Sequence, residues 1–123
     1  MNITFKGTNL ELHDDIRTYV EEKLHDCFQA FGDLNREAVR VAIELERTTR
    51  HHRKSEEIYR VEANVSVPGR LIRVEETGDD FYRAVVEMKE TLTREIRHWR
   101  ERTIDKRRKG ARAAKALLRD MEE

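Results

Sequence analysis

The chain has 123 residues, 41% charged and 37% apolar, which is enough for one domain with a single economical core under a densely ionic surface. A lone cysteine, Cys27, excludes a disulfide framework and a thiolate metal cluster. No apolar run approaches the ~20 residues of a membrane span. The formal net charge of zero hides an asymmetry: residues 94–119 carry eleven basic side chains against three acidic ones, and residues 1–93 carry fourteen against nineteen. A basic C-terminal quarter on a slightly acidic domain points to a polyanionic partner. A solvated helical tail is the plainer alternative.

Ile3 and Phe5 alternate with Asn2, Thr4 and Lys6, which predicts a short strand stopped by Gly7. Ile16, Val20, Leu24, Cys27, Phe28 and Phe31 then recur at helical spacing, predicting a helix over about 13–31 that ends at Gly32. Asp14 and Asp15 suit its first turn, and Cys27 falls on its apolar stripe, where cysteine acts as a small hydrophobe. Val39, Val41, Ile43 and Leu45 alternate with polar residues, the pattern of a strand with one wet face. From Arg47 to Glu57 no apolar residue occurs, and this stretch is expected to be the mobile tip of a hairpin. Tyr59, Val61, Ala63, Val65 and Val67 restore the alternation. Pro68-Gly69 marks a turn, and Ile72 and Val74, with Leu71 beside them, mark a fourth strand ended by Gly78.

The most regular stretch follows. On a wheel of about 100° per residue, Phe81, Val85, Met88, Ile96 and Trp99 fall within roughly 40° of Leu92. Asp79 and Asp80 stand where an N-cap and a first-turn acid belong. The helix becomes more cationic toward its end, with Arg94, Arg97, Arg100 and Arg102 around His98. Beyond Arg102 the composition stays helical but is interrupted by Gly110, and Ala114, Leu117 and Met121 form only a weak stripe. A frayed or partner-dependent helical extension, separate from the core, is expected there.

The element order is therefore β-α-β-β-β-α, an α+β class. Its economical packing is a four-stranded mixed sheet with both helices on one face and a C-terminal helical extension. The opposite sheet face would be exposed, showing Thr4, Lys6, Arg40, Glu44, Arg60, Glu62, Arg73 and Glu75. Opposite charges there can pair across strands, each pair contributing under about 1 kcal/mol.

Catalytic signatures are missing from the pattern. The five histidines (His13, His25, His51, His52 and His98) lack the spacing of a metal-binding helix, and His51-His52 reads as part of a solvated loop. There is no serine elbow and no glycine-rich phosphate loop. An enzyme, a cofactor and a small-molecule substrate are accordingly not expected. Basic clusters are the stronger signal. Arg83, Arg94 and Arg97 lie opposite the apolar stripe, sharing that side with Glu90 and Glu101, so intrahelical ion pairs compete with a binding role. After residue 102, Lys106, Arg107, Arg108, Lys109, Arg112, Lys115 and Arg119 face only Asp105 among acids. Arg47, Arg50, Arg53 and Lys54 form a second cluster in the long loop. Such groups neutralise phosphates without a pocket. Neither cluster holds a stacking aromatic, which favours recognition of shape and backbone over base readout.

At this point the segments MNITFKGTNLELHDDIRTYVEEKL, VPGRLIRVEETGDDFYRAV and the helix that follows resemble, in order, the ribosome hibernation promoting factor family, which includes ribosome-associated inhibitor A. The resemblance covers about residues 1–103. It implies a domain over 1–103 that binds the small ribosomal subunit at the decoding channel, against ribosomal RNA, and a basic helical tail over 104–123. It implies exclusion of mRNA and transfer RNA, silencing of translation under stress and in stationary phase, and a cytoplasmic location. The N-terminus, without signal-peptide features, agrees with that location. Carried over by position, Lys23 matches a basic residue of the first helix. Arg94, Arg100 and Arg102 match basic positions of the second, and His98 stands where lysine is common.

The expected RNA-facing set is Lys23, Arg83, Arg94, Arg97, His98, Arg100, Arg102, Lys106, Arg107, Arg108 and Lys109. Asp26 and Thr91 depart from positions that are often basic, and His13 stands where a Ser or Thr cap is usual. The loop 47–57 is longer and more basic than the family turn. Long members carry a C-terminal dimerisation domain, and here the basic tail stands in its place. Ribosome pairing through such a domain is thus not expected, and the free chain is expected to be a monomer. A general structured-RNA binder or RNA chaperone on the same plan is the alternative function, and a protein-interaction module whose tail folds on a partner is a third.

Overall fold

The computed structural model describes residues 2–49 and 57–122. Four strands form one sheet in the order β1-β2-β3-β4: β1 (Asn2–Thr8), β2 (Arg40–Thr49), β3 (Glu57–Val67) and β4 (Arg70–Gly78). β1 runs parallel to β2, and the other neighbours are antiparallel. The parallel pair is joined through α1 (Asp14–Phe28), and the chain closes with α2 (Phe81–Met121). The expected α+β plan is the observed one.

Alternation explains why one face of this sheet is dry. Val41, Ile43 and Leu45 of β2, Val61, Ala63 and Val65 of β3, and Ile72 and Val74 of β4 are all buried. Each pairs across the ladder with another apolar residue of that set, and Val61 also stands opposite Glu76 on the edge strand β4. α1 adds Val20, Leu24, Cys27 and Phe28, and α2 adds Phe81, Val85, Met88, Leu92, Ile96 and Trp99. The stripe drawn around Leu92 is therefore the buried one, with Ala84 beside it. Trp99 closes the far end of the core. Its ring meets Phe31 edge-on at 5.9 Å, and its indole N–H donates to the Pro68 carbonyl at 3.3 Å, tying α2 to the β3–β4 turn.

Several expectations need correction. β1 does not stop at Gly7; the ladder continues to Thr8, opposite Glu46. Gly7 instead leaves room for the next loop, because a Cβ there would stand 2.5 Å from the Leu10 carbonyl oxygen. The first helix ends at Phe28, and Gln29–Phe31 form a tighter 3-10 turn before Gly32. The stretch from Arg47 is not all loop. Arg47, Thr48 and Thr49 pair with Tyr59, Ile58 and Glu57, so the absence of apolar residues concealed a two-faced polar extension of the hairpin. Arg50, His51, His52, Arg53 and Lys54 lie outside the described residues. Asp80, not Asp79, is the N-cap of α2, accepting from the amides of Tyr82 (3.0 Å) and Arg83 (3.3 Å). Finally, α2 passes through Gly110 without a break and runs for 41 residues, about 60 Å.

The polar sheet face also differs from the expectation, because Glu62 is only 4% exposed. Arg60 lies over it and contacts four carboxylates: Glu62, Glu75 at 3.0 Å, Glu46 at 3.4 Å and Glu44 at 4.0 Å. Arg73 (2.7 Å) and the Asn64 amide (3.1 Å) hold the other oxygen of Glu62. Burial by itself would raise the Glu62 pKa. The Asn64 hydrogen bond and the two guanidinium groups outweigh that and hold the carboxyl below the usual range. Covered by Arg60 of its own strand and Arg73 of β4, a mid-sheet glutamate becomes the floor of an ionic network.

Candidate nucleic-acid interface

The outward surface of the two helices is the one large face that neither the sheet nor the ionic network occupies. α1 and α2 run side by side. At their N-terminal ends Tyr19 and Tyr82 meet edge-on at 4.9 Å, and further along Lys89 pairs with Asp26 at 3.4 Å. The Cys27 thiol donates to the Lys89 carbonyl at 3.3 Å, and burial raises its pKa, so it is a packing group and not a reactive thiolate. Past Lys89 a cleft of about 390 Å³ opens between Asp26 and Gln29 on one side and Thr93, Arg97 and Arg100 on the other.

The expected basic residues divide by position. Lys23 sits on α1 with its ammonium 5.4 Å from the centre of the Tyr19 ring. Arg83 is exposed and pairs with Glu87 at 3.2 Å, one turn on. Arg94 is exposed, with one guanidinium nitrogen 3.3 Å from the Thr91 hydroxyl, and Arg97 projects at the cleft. His98 is exposed.

Arg100 is different. Its Nε is buried and, among the described residues, without a hydrogen-bond partner. Its guanidinium lies over the backbone of Gly32, where a Cβ would approach to 2.8 Å. Gly32 has φ of +61°, so both the backbone conformation and the close approach call for glycine. Packed there, Arg100 presents a fixed cation at the end of the inter-helix cleft.

Arg102, Lys106 and Arg107 line a second cleft, of about 380 Å³, under the β3–β4 turn with Arg70 and Trp99. Four cations and no acid line it, although Arg70 also pairs with Glu95 at 2.9 Å. Arg108 and Lys109 are fully on the exposed extension. Because α2 is continuous, the wheel can be carried past Gly110. Arg108, Arg112, Lys115 and Arg119 then fall within roughly 40° of the direction opposite the core stripe, in line with Arg94 and Arg97. The result is a cationic stripe along about 38 Å of helix, interrupted by Glu101 and Asp105. Arg112, Lys115 and Arg119 belong to it although they stand outside the expected site. Their alignment follows from the spacing once Gly110 is not taken as a break.

Surface cations on one straight ridge, with little concavity, suit a polyanion held by its backbone. Among the described residues no group of histidine, cysteine and carboxylate side chains could hold a metal ion, and no helix is long and apolar enough to cross a membrane.

Comparison with known proteins agrees with this architecture. A family model described as Sigma 54 modulation protein / S30EA ribosomal protein matches residues 3–104. The chain is 36% identical over 104 residues to the ribosome hibernation promotion factor of Deinococcus radiodurans, covering 85% of this chain and 51% of that protein. It is 27% identical over 102 residues to the factor of the same name from Lactococcus lactis, covering 83% and 51%. The chain thus spans about half the length of the curated relatives it matches. Among solved structures, the N-terminal domain of Thermus thermophilus Protein Y superposes with a TM-score of 0.67 at 32% identity, over 81% of this chain and all of that one. A ribosomal subunit interface protein from Coxiella burnetii, at 22% identity, shares the fold with a TM-score of 0.64 over 82% of this chain and 99% of that one. The chain belongs to the Sigma 54 modulation protein / S30EA ribosomal protein family.

Proposed function

We propose that this chain binds the small ribosomal subunit at the decoding channel, lies against its ribosomal RNA, and keeps mRNA and transfer RNA out, silencing translation. The observation that carries the reading is the cationic stripe of α2, from Arg94 through Arg119, on a domain of this family. Attachment is electrostatic and inhibition is steric. No cofactor and no bond-making step are involved. Lys23, the immobilised Arg100 and the cations around Trp99 supply flanking contacts. Names of the relatives, ribosome hibernation promotion factor above all, support the choice of the ribosome over free RNA.

Co-sedimentation with isolated small subunits, titrated with salt and challenged with mRNA plus initiator transfer RNA, tests this. Stoichiometric binding that is exclusive with the challengers is expected, with log affinity falling by about 0.7–0.9 per phosphate contact for each decade of salt. Binding alongside the challengers would move the site away from the channel. Equal affinity for free structured RNA would replace the proposal with a general RNA binder.

A further inference from the structure

The helix has a second ridge. Carried past residue 102 on the wheel, Thr103, Gly110, Ala114, Leu117 and Met121 stay within roughly 40° of Leu92. The stripe that builds the core therefore continues in phase beyond the sheet, where nothing covers it: Leu117 is 66% exposed, Leu118 61% and Met121 82%. Lys106 and Arg107 border it, whereas Arg108, Arg112, Lys115 and Arg119 lie on the opposite side, so RNA drawn to those four leaves this ridge in water. We propose that the α2 extension pairs with the same segment of a second copy, antiparallel, through this apolar ridge.

The residues on the page specify the arrangement. Thr103, Arg107, Gly110, Ala114, Leu117 and Met121 follow the alternating four-and-three spacing of a coiled-coil seam. Set antiparallel, with Gly110 level with Ala114 of the second copy, Thr103 meets Met121 and the Arg107 stem meets Leu117. Ile104 comes beside Leu118, closing one flank with apolar contact. On the other flank Ala113 faces its own counterpart, and Asp120 of the second copy falls between Arg102 and Lys106. That acid would sit at the mouth of the all-cationic cleft under the β3–β4 turn. Gly110, Ala113 and Ala114 at the crossing leave room for the axes to approach to about 8 Å. A parallel pair would instead set Arg107 against Arg107 in the seam.

Two features fit the antiparallel pair. The globular domains lie at opposite ends of the paired segment, so the sheets do not collide. Arg108, Arg112, Lys115 and Arg119 point away from the seam on both copies and stay available to a polyanion. The pairing is small, at the low end of specific interfaces below about 1,200 Å², so it should be concentration-dependent. It differs from the monomer expected from sequence, and it does not depend on the ribosome reading.

Sedimentation velocity of the 123-residue chain from about 1 to about 500 μM, at about 0.15 M salt, where the Debye length of about 8 Å screens the two cationic stripes, is the test. The mass should rise from 14.7 kDa toward twice that value. Leu117→Lys should abolish the rise. Lys106→Glu and Asp120→Lys should each move the midpoint to several-fold higher concentration, and the two together in one chain should bring it back toward the parent. All three positions are exposed in the single chain, so folding is not at stake; unchanged Trp99 fluorescence checks this. A mass of one chain at every concentration would overturn the proposal. So would a dimer indifferent to Leu117→Lys, or a double variant no tighter than the singles, which would signal another face or a parallel pair.

Discussion

The two halves of α2 are a controlled comparison within one helix. Residues 81–99 and 103–121 share a phase and an outward row of charges. The first half lies on the sheet, and its stripe is nearly inaccessible to water; the second carries the same stripe into solvent. Amphipathic pattern therefore marks a surface that can be buried, and only the neighbouring element decides whether it is. In the first half the pattern makes a core. In the second the helix is held by propensity and by continuity with the anchored turns before it.

Paired truncations put numbers on that difference. Leu92→Ala should destabilise the domain by about 2–5 kcal/mol in denaturant unfolding, because it leaves a cavity among Met88, Ile96 and the sheet. The same change at Leu117, measured on the dilute chain, should stay within about 0.5 kcal/mol. Equal effects would mean the extension packs on the domain after all. Hydrogen exchange offers the same contrast without mutation: amides of residues 85–99 should be protected close to the global limit, and those of 106–119 should exchange through local opening many-fold faster.

The ionic face of the sheet gives a prediction of intermediate size with a pH signature. Glu62→Gln should cost about 1–3 kcal/mol near neutral pH, since Arg60 and Arg73 lose their central acceptor. The folded pKa of Glu62 is lowered, so its contribution is fully present above the unfolded value of about 4.3 and is lost as pH falls through the folded one. The parent should therefore lose more stability than the variant between about pH 5 and pH 3. Parallel pH curves would sink the assignment. Smallest is Gly110→Ala. Nothing lies within 4 Å of the added Cβ, so helicity of the extension should rise by the propensity difference of about 0.5–1 kcal/mol, visible in far-ultraviolet circular dichroism and silent in global unfolding.

Deleting residues 104–123 separates the roles of the halves most directly. Unfolding of the remaining domain should be nearly unchanged, and the salt dependence of small-subunit binding should become shallower as Arg108, Arg112, Lys115 and Arg119 are lost. An unaltered slope would show that the extension makes no phosphate contact.

Element order, the two buried stripes and the mixed sheet were legible because periodicity reports burial directly: strand alternation at Val39–Leu45 and helical recurrence around Leu92 each have one solution. What misled was punctuation. Gly7 and Gly110 read as breaks, yet one sits within a ladder for steric reasons and the other inside a helix carried by its flanks. The polar Arg47–Thr49 segment read as loop because it holds no apolar residue, although its backbone pairs across the hairpin. Arg60 and Glu62 read as exposed because alternation assigns a face and not a depth. The basic residues were all visible by charge; their division was not. Arg83 pairs within its helix, Arg100 is pinned over Gly32, Arg102 and Lys106 share a cleft with Trp99, and Arg108 to Arg119 form a free stripe.

Local sequence thus determined which residues leave water and which carry charge, since both are properties of side chain and spacing. The tertiary structure decided which charges face one another and where a stripe runs out of partners. Those depend on distances between segments far apart in the chain, which no local pattern encodes.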